Sequence, residues 1–190
     1  MSEKIDRLHD AAEAVRACAK EIGDCMKGTD DPVPHKARIV AAIERLLRRD
    51  DLREIGSPRK TSHANGSWIL YYDPKLMIVL GDRRNDMGDT DPHNHGAWIA
   101  TSVYAGQVRY RSYARTDDRK TAGKAQLQLS EDRILNAGEV ALSGAVPHDI
   151  HQVNRLSDTY NLMIVTGGYL PGTREYYDVE NGTYEVRPAD

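Results

Sequence analysis

Four of the chain's seven histidines fall in two short segments whose spacing suits a metal ion. In Asp91-Pro92-His93-Asn94-His95-Gly96 the two imidazoles stand at i and i+2. On an extended strand that spacing puts both on one face, near enough to share one ion. In Pro147-His148-Asp149-Ile150-His151-Gln152-Val153-Asn154 a further histidine opens a strand well downstream. His148 and His151 differ by three positions and so point to opposite faces of an extended chain, which leaves room for only one of them beside the pair. His151 is the preferred third ligand. Three neutral imidazoles leave coordination positions open, as a catalytic site requires and a closed structural site does not. The same residues could instead brace strand ends, but the Gly-Asp-rich loop before the pair and the turns at Gly106, Gly138 and Gly144 favour the metal. Imidazole suits iron, nickel, copper and zinc alike, so ligand type does not fix the ion. Asp149 shares a strand face with His151, and Asp149 and Asn154 are the candidates to orient the imidazoles from behind.

Two periodicities divide the chain that must position these side chains. Over the first 27 residues Ile5, Leu8, Ala12, Val15, Ala19, Ile22 and Met26 recur at spacings of three and four, the apolar face of an amphipathic helix. Gly28-Thr29-Asp30-Asp31-Pro32 stops it, and a second helix is expected from about Pro34 to Ile55-Gly56, with Ile39, Ile43, Leu46 and Leu47 as its stripe. The alternating charges of Arg48 to Arg53 read as a solvated surface. From Ser67 the pattern turns to short strands, expected near 67–72, 75–81, 97–105, 107–115, 124–129, 132–135, 139–143, 149–154, 160–166, 173–179 and 183–187. Asn181-Gly182 between Tyr-rich strands is the signal of a two-residue hairpin turn. Short strands at near-regular spacing predict an antiparallel sandwich or barrel, here with a helical cap.

Composition narrows the function classes. The 190 residues suit one domain, and 39% hydrophobic residues allow a real core. Lys plus Arg number 26 against 29 Asp plus Glu, a net charge of −3, which argues against a nucleic-acid binder. The apolar runs, such as Leu76 to Leu80, fall far short of the roughly 20 residues of a membrane span. The first ten residues lack the apolar core of a secretory signal. Cys18 and Cys25 lie two turns apart on one expected helix, roughly 10 Å, too far for a disulfide, so a reduced, cytoplasmic setting is expected.

The stretches LYYDPKLMIVL, DPHNHGAWIATSVYAGQ, NAGEVALSGAVPHDIHQVN and GGYLPGTREYYDVENGTYEVRP resemble the two motifs and flanking strands of the cupins. The layout is similar to that of the cysteine-dioxygenase-type cupins, in particular the bacterial proteins described as predicted metal-dependent double-stranded β-helix proteins. The resemblance spans roughly residues 67–187, and the helical leader also suits that group. It implies a mainly β fold, a cupin barrel over residues 61–190 with residues 1–60 as helices packed on it. It also implies a non-haem Fe(II) held by His93, His95 and His151, with nickel, zinc, copper and manganese as the other ions open to such a set. The glutamate that many cupins carry after the first histidine pair is replaced by Ile99 or Ala100, which points to the three-His subtype. Asp149 fits the Asp-Ile-His form of this branch.

The departures bear on substrate. Thiol dioxygenases of this kind carry a Ser-x-His-x-Tyr relay after the third ligand, yet no histidine follows His151. Leu162, Ile164 and Thr166 stand at the relay positions. Tyr72 replaces the arginine that grips the substrate carboxylate, and Ala100 stands near the place of the crosslinking cysteine. Arg83, Arg84, Arg109 and Arg111 are the cations able to substitute, with Arg109 the chosen candidate. Tyr72, Trp98, Tyr104 and Tyr169 are the aromatic candidates for the pocket, although for any one of them a place in the core or at a barrel end is the favoured reading. The resulting expectation is an Fe(II)-dependent oxygenase acting with O2 on a small molecule other than free cysteine, as a monomer or homodimer with no nucleic-acid or membrane partner. A metal-dependent isomerase or lyase, and a small-molecule-binding cupin without catalysis, are the alternatives.

Overall fold

A computed structural model describes residues 2–58, 67–83, 89–157, 160–167 and 172–188. Helix α1 (Ser2–Cys25) buries Ala11, Val15, Cys18, Ala19, Ile22 and Cys25, whereas Ile5 at its start stays exposed. Both cysteines are therefore buried, unpaired thiols on the packed face, and burial pushes the Cys18 thiol up to about 12. Helix α2 (Lys36–Leu47) buries Ile39, Ala42, Ile43, Leu46 and Leu47. It ends eight residues before the expected Ile55, and a single 3-10 turn, Leu52–Glu54, follows. No helix among the described residues is long and apolar enough to cross a membrane.

Beyond the end of α2 the charged stretch is not wholly solvated. Asp51, within the stretch expected to be solvated, is only 2% exposed. Its carboxylate accepts hydrogen bonds from Arg49 Nε and Nη2 at 2.9 and 2.7 Å, and Arg7 of α1 approaches at 3.4 Å. These bonds, Arg49's first, hold the Asp51 carboxyl below its ordinary range. A depressed folded-state value gives stability that is present above the unfolded-state value and is lost as pH falls through the folded one. Asp51→Asn is therefore expected to lower stability at pH 7 by about 2 kcal/mol. It should also flatten the loss of stability below roughly pH 4, as read by urea unfolding at pH 7 and pH 3.

Eleven strands form among the described residues. The first sheet runs, in spatial order, β1 (Ser57–Pro58), β2 (Ser67–Asp73), β3 (Leu76–Arg83), β9 (Tyr160–Thr166), β4 (Ile99–Ala105) and β7 (Val140–Leu142), all antiparallel. The second holds β6 (Leu127–Asn136), β5 (Gln107–Arg115) and β8 (Ile150–Arg155), and β10 (Thr173–Asp178) pairs with β11 (Thr183–Pro188). His93 bridges antiparallel to His151 of β8 and to Tyr176 of β10, stitching the hairpin onto the second sheet. The architecture is a barrel of antiparallel sheets with an N-terminal helical layer.

Both faces of the first sheet are covered, which is why β4 is buried at every position from Ile99 to Val103. Leu76, Ile78, Leu80, Trp98, Ala100 and Val165 pack against the helices. Val103 and Ala141 face the barrel interior with Val108, Tyr110, Leu135 and Val153 of the second sheet. Two local expectations differ. The strands expected at 124–129 and 132–135 are one edge strand, β6, whose charged Ser130-Glu131-Asp132 stretch stays paired to β5 through a bulge. The Asn181-Gly182 turn is a four-residue loop, 179–182, with Gly182 at φ 61 and the Asp178 carboxylate accepting from Asn181 N and Nδ2.

Candidate metal centre

His93 and His151 exchange both backbone hydrogen bonds, each N–H donating to the other's carbonyl at 2.9 Å. Residues paired this way across antiparallel strands carry their side chains on the same face, side by side. The two rings lie 4.9 Å apart, centroid to centroid. His95 completes the cluster at 4.8 Å from His93 and 4.9 Å from His151. Strand alternation does not place it, because residues 94–97 belong to no strand. The buried Asp149 carboxylate does: its Oδ2 accepts from His95 N at 3.0 Å and Gly96 N at 2.8 Å. Gly96, at φ 71, takes the left-handed conformation that the turn there needs. Asp149 thus grips backbone rather than an imidazole. His148 is exposed on the preceding turn and takes no part.

The ligand atoms of His93, His95 and His151 lie within 4.8 Å of one another, and all three residues are buried. His93 Nδ1 donates to the Asp91 carbonyl at 2.8 Å, since a carbonyl can only accept. That bond fixes the tautomer and leaves Nε2 as the ligating nitrogen. Burial drives the protonation of His151 well below the ordinary imidazole range, and the charges of His93 and Arg174 push the same way. The imidazole is therefore neutral, as ligation requires. His151 Nδ1 is buried without a hydrogen-bond partner. Three imidazole nitrogen donors in an enclosed site fit a first-row divalent ion, bound at about 2.0–2.1 Å for zinc, and bring no negative charge to it.

Residues that sequence reasoning missed complete the surroundings. Tyr176 of β10 stacks on His93 at 5.6 Å, and the Arg187 guanidinium lies 4.8 Å from the Tyr176 ring centre. Arg187 in turn meets Asp91, two residues before His93, at 3.2 Å. Asn94 pairs reciprocally with Glu175, its Nδ2 donating to Oε2 at 2.9 Å and its Oδ1 accepting from Glu175 N at 3.0 Å. Tyr110 packs against His151 at 5.8 Å from within the barrel core. The signal available for Arg174 and Tyr176 was their shared strand face; nothing local links β10 to His93.

Most other candidates lie elsewhere. Tyr72 is 60% exposed near the end of β2. Trp98 is buried in the core between sheet and helices, and Tyr104 packs against that same cluster. Trp98 and Tyr104 thus lie on the face that the helical layer covers, whereas Tyr72, paired with Met77, is on the opposite face of β2 from Tyr71, which packs against the helix-side cluster. Arg109 pairs with Asp132 through Nε and Nη2 at 2.6 and 2.5 Å. Arg111 donates to Asn154 Oδ1 at 2.6 Å and Gln152 Oε1 at 3.2 Å. Asn154 and Gln152 share the strand face opposite His151, so neither Asn154 nor Arg109 reaches the imidazoles. Thr166 is buried, in register with Ile99 and Met77, whereas Leu162 and Ile164 are placed by backbone pairing to Val103 and Thr101. The side chain of Arg83, together with Arg84 and Tyr169, lies outside the described residues.

No family model matches the sequence, and no curated protein matches it. Solved structures are similar to part of the chain at low identity. A cupin superfamily protein from Desulfitobacterium hafniense is 14% identical, over 64% of this chain and 92% of its own, with a TM-score of 0.41. An uncharacterised conserved protein with a double-stranded beta-helix domain from Klebsiella pneumoniae is 12% identical over 75% and 98%, at a TM-score of 0.40. Hydroquinone 1,2-dioxygenase PnpCD, solved with Cd2+ and 4-hydroxybenzonitrile, is 10% identical over 64% and 78%, at 0.43.

Proposed function

We propose that this chain is a non-haem Fe(II)-dependent oxygenase of the three-His cupin type, acting on a small molecule other than free cysteine. The observation that carries the reading is the convergence of three buried imidazoles, one fixed in tautomer by Asp91 and one held neutral by burial. Ferrous iron in such a set supplies one-electron chemistry toward O2 at positions the protein leaves open. The protein's part is to hold and enclose. The His93–His151 backbone pair and the Asp149 grip on His95 fix the donors, while Tyr110 and Val153 close the barrel beneath them. The absence of any histidine after His151 supports a substrate other than a simple amino-acid thiol. The buried, unpaired Cys18 and Cys25 support a reducing compartment.

Protein purified without a histidine tag and loaded anaerobically with Fe(II) is expected to hold close to one ion per chain, and His151→Ala to hold almost none. The loaded protein should then consume O2 with a small-molecule substrate and not with cysteine. Failure to bind Fe(II) would overturn the proposal, and turnover under nitrogen would reassign the site to non-oxidative chemistry.

A further inference from the structure

The hydrogen bond that orients His93 ends on a peptide that lacks a donor. His93 Nδ1 donates to the Asp91 carbonyl at 2.8 Å, and that carbonyl belongs to the Asp91–Pro92 peptide. Proline has no backbone N–H, so no strand can hold this peptide plane through a donor of its own. Residues 91 and 92 also lie outside any strand. The chain is tied down on either side, Thr90 N donating to the Val153 carbonyl at 3.2 Å and Tyr177 N to the Pro92 carbonyl at 2.8 Å. Between these ties the Asp91 side chain offers a further handle. The group on it is Arg187 of β11, whose Nη1 donates to Oδ2 at 3.2 Å.

Arg187 reaches the same imidazole by a second route. Tyr176 of β10 is paired with Glu185, and Arg187 stands two residues beyond Glu185, diagonal to Tyr176 and on the same face of the hairpin. The guanidinium lies 4.8 Å from the Tyr176 ring centre, and that ring is stacked on His93 at 5.6 Å with 29° between the planes. Glu185 accepts from Arg187 Nε at 2.6 Å and keeps the guanidinium in place. The terminal torsion of a histidine is broad and roughly two-fold, so its ring needs outside contacts to take one orientation. A bond at Nδ1 and an aromatic ring packed against it supply them.

We propose that Arg187 is a positioning residue for the metal centre, holding the Asp91 carbonyl and the Tyr176 ring where together they orient His93 for ligation. This rests on the three-His cluster being a metal site. The Arg187 and Asp91 side chains are 46% and 61% exposed, so their ion pair contributes little to global stability. Its effect is local, on the aim of one ring.

Nitrogen NMR of isotope-labelled histidines reads that aim in the metal-free protein, at about pH 8, above the ordinary imidazole range. His93 is expected to hold one tautomer, protonated at Nδ1, and Arg187→Ala to mix the two. Co(II) affinity, followed by the visible absorption of the ion, should fall about tenfold in the same variant. The urea midpoint should stay close to that of the unaltered protein. Arg187→Lys keeps a charge beside Asp91 without the planar fork and should restore part of both readouts. Added to Asp91→Asn, Arg187→Ala should cost less affinity than it does alone, because the two share a contact. Mixed tautomers in the unaltered protein, or a single tautomer that survives Arg187→Ala, would overturn the proposal. So would a change that appears only with a matching fall in the urea midpoint, which would make Arg187 a contact of the fold. If Co(II) does not bind the unaltered protein, the metal reading fails, while the tautomer comparison still decides whether Arg187 orients His93.

Discussion

Asp149→Ala is expected to weaken divalent-metal affinity by about 10- to 100-fold without removing any ligand. The carboxylate is 1% exposed, and one of its oxygens takes both the His95 and the Gly96 amides. Truncation leaves two backbone donors unsatisfied where water scarcely reaches, which costs about 3 kcal/mol in urea unfolding. It also frees the turn that carries His95, so the third donor must be ordered at the moment the ion binds. Asp149→Asn supplies a different comparison. An amide oxygen accepts from the same two N–H groups but lacks the charge that strengthens them, so its cost should be near 1 kcal/mol with a correspondingly smaller loss of affinity. Competition with a chelating dye reads the affinities. Wild-type affinity in the alanine variant would mean that His95 owes its position to other contacts.

Asp149 also shows how far one sequence could be read. Its neighbour two residues on, His151, was legible because imidazoles in two short segments have few other reasons to be there. The shared face of His93 and His95 was predicted from strand alternation, yet the chain leaves the sheet after His93, and a carboxylate more than fifty positions downstream sets His95. The right neighbours followed from an incomplete cause. Most strands were legible because turn residues punctuate them, and β5 and β9 run over the expected residues. The merged β6 was not, because the solvent-facing side of an edge strand carries charges that mimic a loop.

The candidate pocket residues were the least legible, for a physical reason. Along β4 both faces are buried, because helices cover one and the opposite sheet covers the other. Alternation separates Trp98 from Ile99 but cannot say which of them sees the barrel interior. Arginines raise the same difficulty. Arg109 and Arg174 both sit on strands with alternating neighbours, and only the pairing of β8 with β5 puts Arg109 on the outer face against Asp132. Only the bridge through His93 brings β10 to the cluster. Both are long-range registers, which no local pattern encodes.

Gly167→Ala is expected to be among the most damaging single-methyl additions to this fold. A Cβ there would lie 1.9 Å from Trp98 Nε1 and 2.3 Å from Cδ1, well inside van der Waals contact. The indole cannot simply swing aside: it is 4% exposed and packed in the core shared with α1 and α2, and its own carbonyl accepts from Gly167 N at 3.1 Å. Overpacking of this kind costs about 3 kcal/mol, read as a fall in the urea midpoint with little change in slope. Trp98→Leu alone leaves a cavity and should cost a comparable amount. Combined, the two defects offset each other, since the added methyl occupies volume that the indole has vacated. The double variant should then be more stable than the sum of the single costs by about 1 kcal/mol or more. Simple additivity would mean that the glycine is required for its backbone rather than for the space the indole fills. Because Trp98 begins the run from the His95 turn into β4, the loss in Gly167→Ala should extend to metal affinity, and Trp98→Leu in the same chain should recover part of it.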